Sequence, residues 1–502
     1  MIRHSGRLLT GFLALLLLWA PLAFGGVVPW AAASLEILSF CALALALFSV
    51  DRLPALRPAA IPALALAAVA LLGLIQTLPW PSEVVRALSP EHARLYEEAA
   101  DLAEPETPRL TLALSATRAA ALGWAAAAAC LLAGAAAGRD RENRRWLAGA
   151  FLLGGLFQVL FGARGWIARD KTLWGIELAS NAARLRGTFV NPNHLALYLG
   201  MALPVAFAWG WWAARRSRDE PQVERRLLLL APPILLWLTL FLGLAFSGSR
   251  GGMLAALAAV TVQGALLPGA RRRWWLAPVG VAAALAGLAL VAAVGFEEGL
   301  GRLLATRGGD VSVGARLDEY RAALELWRTF PLTGTGLGTF RDAFPLVQPA
   351  DLSGTFWHPH SDLLEVLVTG GLLAVALTGI GLGAVVRRLF AVLRGGGRSE
   401  DRGAALAALG ALAAAAVHAC VDFALTMPGN ALTLALLLGA ASAAKAPAVL
   451  AEPNLAGQHP APVQALDLKQ VQPTADRHGK RKRHGRGGRP HRKGAHDRAV
   501  EP

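Results

Sequence analysis

Three short polar clusters interrupt an otherwise apolar chain: R-G-T-F-V-N-P-N-H (Arg186 to His194), S-G-S-R-G-G (Ser247 to Gly252) and H-P-H-S-D (His358 to Asp362). Each directly precedes an apolar block of helical length. Each therefore stands at a helix N-terminus, where unpaired N–H groups and the positive end of the macrodipole favour an anion. Asn193 and Ser249 are of the type that caps helices. Arg186 and Arg250 add guanidinium forks whose geometry suits phosphate oxygens. Together the clusters predict a phosphate-bearing ligand held at the outer membrane interface. The spacing His358-x-His360-x-Asp362 is also metal-like, but no convincing additional ligand accompanies it, and neither a metal nor another cofactor is expected.

A fourth element lies between the second and third clusters. Leu317, Tyr320, Leu324 and Trp327 recur at helical spacing, which predicts an amphipathic helix over 312–329 lying along the membrane interface, with Arg316 and Arg328 near its ends. After Pro331 comes G-T-G-L-G-T-F (Gly334 to Phe340). No strand precedes it, so a dinucleotide loop is excluded, and tight turns carrying the chain back over the site are the simpler account.

The elements that must position these residues are membrane helices. The chain has 502 residues, mean hydropathy +0.45, and 17% charged residues, against roughly 25% in soluble domains. Blocks long enough to cross about 30 Å of hydrocarbon are expected near 8–24, 27–50, 59–78, 119–137, 146–163, 194–214, 227–246, 251–267, 274–294, 363–385, 404–425 and 431–447. The first, behind Arg3 and Arg7, reads as an uncleaved helix. The fold class is all-α, a polytopic bundle of about twelve spans forming a transmembrane domain over 1–447. Arginines crowd alternate connections (Arg139 to Arg145, Arg215 to Arg226, Arg271 to Arg273, Arg387 to Arg402), which places those connections and both termini in the cytoplasm. The long loops 79–118, 164–193 and 295–362, and with them all three clusters, then face outward. Trp residues at block ends fit an interfacial belt. Cys41, Cys130 and Cys420 lie within apolar blocks, without the spacing of a disulfide frame or zinc site.

Mid-span charge is scarce. Glu36 is the one clear acid and reads as structural, and His418 reads as a packed, hydrogen-bonded residue. Residues 448–502 are rich in Pro, Gly and charge and are expected to be a disordered cytoplasmic tail. Its basic run K-R-K-R-H-G-R-G-G-R-P-H-R-K (480–493) suits anionic lipid headgroups, and no nucleic acid is expected.

In order along the chain, these motifs resemble the O-antigen ligase and O-antigen polymerase superfamily of bacterial inner-membrane glycosyltransferases. The resemblance covers roughly residues 150–440. It rests on G-T-F-x-N-P-N (Gly187 to Asn193), S-x-S-R-G (Ser247 to Gly251), an Arg-led helix in a large periplasmic loop (295–362), P-x-x-G-x-G-x-G-x-F (Pro331 to Phe340) and a histidine motif opening the next span. In that last motif His360-Ser361, nine residues, Gly371, Ala374 and Val375 fit the ligase pattern, except that Ala374 replaces its second glycine. Ligase and polymerase both remain open. The resemblance implies a glycan donor on undecaprenyl pyrophosphate at the periplasmic face, and an acceptor that is a lipid A core, another glycan or a protein. It implies His360 as the catalytic histidine, Arg186, Arg250 and Arg316 on the pyrophosphate, and Asn191, Asn193, Ser249, His358 and Asp362 in support. A transporter or flippase of lipid-linked glycan is the alternative, which would need a polar path through the bilayer.

Overall fold

The computed structural model describes residues 2–49, 56–101, 107–177, 184–267, 311–350, 352, 354–395 and 397–445. The predicted ninth span (274–294), the start of the long loop before 311 and the tail 448–502 lie outside these residues.

The described chain is almost entirely helical. In order it forms α1 (Ile2–Leu22), α2 (Pro29–Ser49), α3 (Arg57–Gln76), α4 (Ser82–Leu88), α5 (Pro90–Ala100), α6 (Leu114–Ala137), α7 (Arg141–Ile167), a small hairpin of β1 (Thr172–Leu173) and β2 (Ile176–Glu177), α8 (Pro192–Arg216), α9 (Val223–Phe246) and α10 (Arg250–Leu266). After these come α11 (Val311–Thr329), α12 (Phe340–Ala343), α13 (Asp362–Arg394), α14 (Ser399–Ala419) and α15 (Pro428–Ser442). Among the described residues eight helices are long and apolar enough to cross a membrane, and α1, α10 and α15 contribute three shorter apolar segments. The helices match eleven of the predicted blocks. The short α4 and α5 within the first long loop were not anticipated.

Among lipid tails no hydrophobic force drives helix against helix, so close approach depends on small residues. Gly134 and Gly138 of α6 lie on the backbone of Leu436 and Ala440, and Gly439 of α15 lies on the Leu131 carbonyl, so that a Cβ at any of the three would collide with main chain. Tyr198 and Phe151 fill the wider gap between α8 and α7, their rings edge to face at 5.0 Å.

At one end of the bundle the starts of α8, α13 and α15 meet the end of α14. Asn430 Nδ2 donates to the His194 carbonyl (3.0 Å), and the Asp362 amide donates to the Asp422 carbonyl (3.0 Å). At the other end Arg141 and Arg144 of α7 grip the buried Asp401 of α14, and Arg388 of α13 donates to the Ser442 and Ala444 carbonyls.

α13 is 33 residues long, too long for a single crossing, and it is broken at Gly371 (φ 63°, ψ −168°), a conformation open to glycine alone. The break frees the Val368 and Thr369 carbonyls and the Leu372 and Leu373 amides. The glycine-rich loop after α11 satisfies all four: Thr335 N to Val368 O (3.0 Å), Gly336 N to Thr369 O (3.0 Å), Leu372 N to Pro331 O (3.0 Å) and Leu373 N to Leu332 O (3.3 Å). Gly334, Gly336 and Gly338 all take positive φ to enter this space. Gln76, buried at the end of α3, clamps the loop from its other side, donating to the Thr333 carbonyl (2.7 Å) and accepting from the Leu337 amide (3.1 Å).

Candidate functional site

Each predicted cluster does open a helix, but the capping roles are redistributed. Asn191, rather than Asn193, caps α8, its Oδ1 accepting from the Asn193 amide at 2.9 Å. Ser249 caps α10 as expected, accepting from Gly252 N at 3.1 Å. Ser361 caps α13 through Leu364 N (3.3 Å) and also donates to the Ala419 carbonyl (2.9 Å), fastening α13 to the end of α14.

α14 stops at Ala419, short of the predicted 425, because residues 420–427 turn to meet Asp362. The Asp362 carboxylate accepts from Leu425 N (3.0 Å), Thr426 N (2.7 Å) and Thr426 Oγ1 (2.8 Å). Backbone donors thus occupy Asp362, and its work is to hold this turn. The turn presents Phe423, whose ring is the hub of the site: His358 stacks on it (4.7 Å, 22°), while His360 and His194 meet it edge-on (5.3 and 5.2 Å).

The two histidines of the third cluster diverge. His358 Nδ1 pairs with Glu365 Oε2 at 3.0 Å, and His360 Nδ1 with Glu319 Oε2 at 3.0 Å. Burial opposes charge on His358, but the Glu365 carboxylate, with Asp362 behind it, outweighs burial and holds its pKa above the ordinary imidazole value. His360 is the more open of the two, its side chain 34% exposed. Its backbone sits at φ +45°, uncommon outside glycine, and the Tyr320 hydroxyl donates to its carbonyl at 2.8 Å. Among the described residues no three His, Cys, Asp or Glu side chains converge as metal ligands would.

Glu319 and Tyr320 come from α11, which forms over Val311–Thr329 as expected but buries a different face. Leu317 is exposed and Leu324 and Trp327 are half-buried, whereas Glu319, Ala322, Ala323 and Leu326 are buried. The helix packs on protein rather than lying freely at an interface, so small residues take the inner face and larger apolar ones the rim. Burial raises the Tyr320 phenol pKa, against the nearby Arg316, which lowers it.

On the other side of Phe423, Asn193 Nδ2 donates to Asp422 Oδ2 (2.7 Å), and Arg184 Nη2 donates to Asn193 Oδ1 (2.7 Å) while its Nε donates to the Ser247 carbonyl (2.6 Å). Arg184 thereby joins the first two clusters, and Asn193 ties them to the turn that carries Phe423. Arg186, almost fully buried, donates through Nη2 to the Asp170 and Thr172 carbonyls, both at 3.2 Å, and burial lowers its pKa. With Arg164, Arg184, Trp166 and Asp170 it lines a small cationic pocket. Arg250 is half-buried at the start of α10, where Gly251 lies against Val421 and His418. His418 is packed as expected but not hydrogen-bonded, since neither ring nitrogen meets a protein partner.

The structure therefore gathers His358, His360, Asp362 and Asn193 around the turn that carries Phe423 and places Arg316 beside Tyr320, while Arg186 lines a pocket with Arg184. Sequence reasoning missed Arg184, Glu319, Glu365, Asp422 and Phe423, and it named His194 and Tyr320 only as the end of a cluster and as one position of the amphipathic helix. A trace of Asp422 was present in the sequence, as an acid near the end of the predicted span 404–425.

No curated protein matches the chain. Residues 234–379, which run from α9 through α10, α11, the glycine-rich loop and the two histidines to beyond the break in α13, match the family model described as O-antigen ligase.

Proposed function

We propose that the protein transfers a glycan from undecaprenyl pyrophosphate to an acceptor hydroxyl at the periplasmic face of a bacterial inner membrane, in the biosynthesis of surface polysaccharide. One observation carries the reading: the family motif's histidine, His360, is held by Glu319 through Nδ1 and keeps an open side, at the end of the bundle where the helices of all three polar clusters begin.

In this reading the acceptor hydroxyl gives its proton to His360 as its oxygen attacks the anomeric carbon. The bond from that carbon to the diphosphate oxygen breaks, and the diphosphate leaves with the electron pair, inverting the anomeric centre. Arg186, Arg250 and Arg316 hold the pyrophosphate and stabilise the charge that grows on it. Asn191 and Ser249 keep α8 and α10 capped, while Asn193, His358 and Asp362 hold the walls. The acceptor is a lipid A core in a ligase, a further repeat unit in a polymerase, or a protein side chain. Arg141, Arg144, Arg145, Arg388 and Arg402, all at the end of the bundle away from His360, support a cytoplasmic assignment for that end. The composition of the basic tail suits contact with anionic lipid headgroups.

The test is transfer by the purified protein in vesicles, supplied with polyprenyl-pyrophosphate-linked glycan and candidate acceptors. Covalent transfer, abolished in Arg250→Ala and partly restored in Arg250→Lys, is the expected result. Movement of donor across the bilayer with no covalent product would favour a carrier instead. In a deletion strain, polymer stranded on its lipid carrier marks a ligase and single repeats mark a polymerase.

A further inference from the structure

α11 turns a carboxylate inward on a face otherwise made of alanine and leucine. The Glu319 side chain is 1% exposed, and its Oε1 is enclosed without a protein partner, so its pairing rests on Oε2 and the His360 ring at 3.0 Å. A buried, half-satisfied carboxylate is costly, and an apolar side chain would pack against Ala322 and Ala323 more cheaply. Packing therefore does not explain it. The next residue, Tyr320, holds the His360 carbonyl, so two consecutive residues of α11 grip both the ring and the backbone of one histidine across about forty residues of chain.

A carboxylate only accepts hydrogen bonds, so the Nδ1 facing it carries the proton and Nε2 is left with a free lone pair. Resting on the transfer reaction above, we propose that Glu319 is the positioning residue of this site: it fixes His360 as the Nδ1–H tautomer with Nε2 facing the acceptor hydroxyl, and it stabilises the imidazolium formed when that proton arrives. The charged and titratable groups around the ring are Arg316, Glu319 and Tyr320 on α11, His358, Asp362 and Glu365 along the third cluster and α13, Cys420 and Asp422 on the turn after α14, and His194 on α8. Of these, Glu319 hydrogen-bonds the ring.

The experiment uses the full chain in lipid nanodiscs and three readouts. In transfer assays Glu319→Gln, nearly the same in shape, should lower kcat by roughly tenfold or more with the KM for donor unchanged. Glu319→Asp should recover part of the loss. In a His360→Ala background Glu319→Gln should cost nothing further, since its effect passes through that ring. Nitrogen NMR of labelled histidine, with His360 identified by loss of its signal in His360→Ala, should show the Nδ1–H tautomer in the native chain and a mixture in Glu319→Gln. An unchanged kcat in Glu319→Gln, an additive loss in the double variant, or an unchanged tautomer would each overturn the assignment. A fixed tautomer in a protein that transfers no lipid-linked glycan would sustain the pair and remove the transferase reading, so the two failures are distinguishable.

Discussion

Asn193 Nδ2 and Asp422 Oδ2, 229 residues apart in sequence, meet at 2.7 Å and join the first turn of α8 to the turn that carries Phe423. Because Arg184 holds the same amide from its oxygen side, Asn193 is oriented from both ends and cannot flip without losing two bonds. Asn193→Ala should therefore lower stability by about 1–3 kcal/mol, the usual cost of stranding a buried polar partner, and reduce transfer. Asn193→Asp sets one carboxylate against another and should be the worse variant. Thermal unfolding in detergent alongside transfer rates would check the order, and an Asp variant equal to wild type would contradict it.

His360→Ala and His358→Ala should fail in different ways. The first should lose roughly a hundredfold or more in rate while inserting and binding donor normally. The second should mainly lose stability, since His358 is stacked and ion-paired rather than open. Its pairing with Glu365 raises the folded-state pKa above the unfolded value, so the contribution is complete below the unfolded pKa of about 6.5 and fades as pH rises through the folded value. Glu365→Gln should accordingly lower Tm more at pH 6 than at pH 9. A larger rate loss at His358 than at His360 would reverse the assignment.

His92 of α5 makes the opposite acid–base prediction. It is buried against Phe330 at the end of α11, its Nδ1 2.8 Å from Ser89 Oγ, and burial lowers its pKa to about 4. With the folded pKa depressed, the stability it contributes is present above the unfolded value of about 6.5 and lost as pH falls toward the folded one. Protection against hydrogen exchange across residues 82–100, taken relative to the unstructured rate at each pH, should fall between pH 6.5 and 4, and His92→Asn should flatten that dependence. Protection independent of pH in the native chain would count against it.

Gly371→Ala should be among the most damaging single substitutions in the chain. The added methyl would strike the Leu332 carbonyl, and the backbone would be held in a region closed to other residues, at about 1–3 kcal/mol before any clash is counted. Gly379→Ala, in the same helix with open space around it, is the control and should be silent. Yield of folded protein by size-exclusion chromatography separates the two.

Much of this architecture was legible in the sequence because membrane spans are read from length and apolarity alone, and eleven blocks became helices. The polar clusters were found because polar residues stand out against apolar ones. What escaped was whatever depends on the third dimension. Glu319 lies on a face that periodicity assigned to the outside, because alanines carry little apolar signal and the buried side of α11 is alanine-rich. The capping role fell to Asn191 because Pro192 begins the helix one residue before Asn193, which frees Asn193 for Asp422. Arg184 stands two residues ahead of Arg186, and nothing in their spacing tells which guanidinium reaches Asn193.

The break at Gly371 bears on how the protein acquires its shape. Until residues 331–336 arrive, α13 carries two bare carbonyls and two bare amides at a depth where water is scarce and each unpaired group costs several kcal/mol. The helix therefore cannot come to rest alone. The half that follows the histidine cluster is satisfied only when the loop delivered by α11 docks on it, and the same helix brings Glu319 and Tyr320 to His360. Completing the helix and assembling the surroundings of His360 are therefore coupled, and a substitution that weakens the docked loop should loosen both.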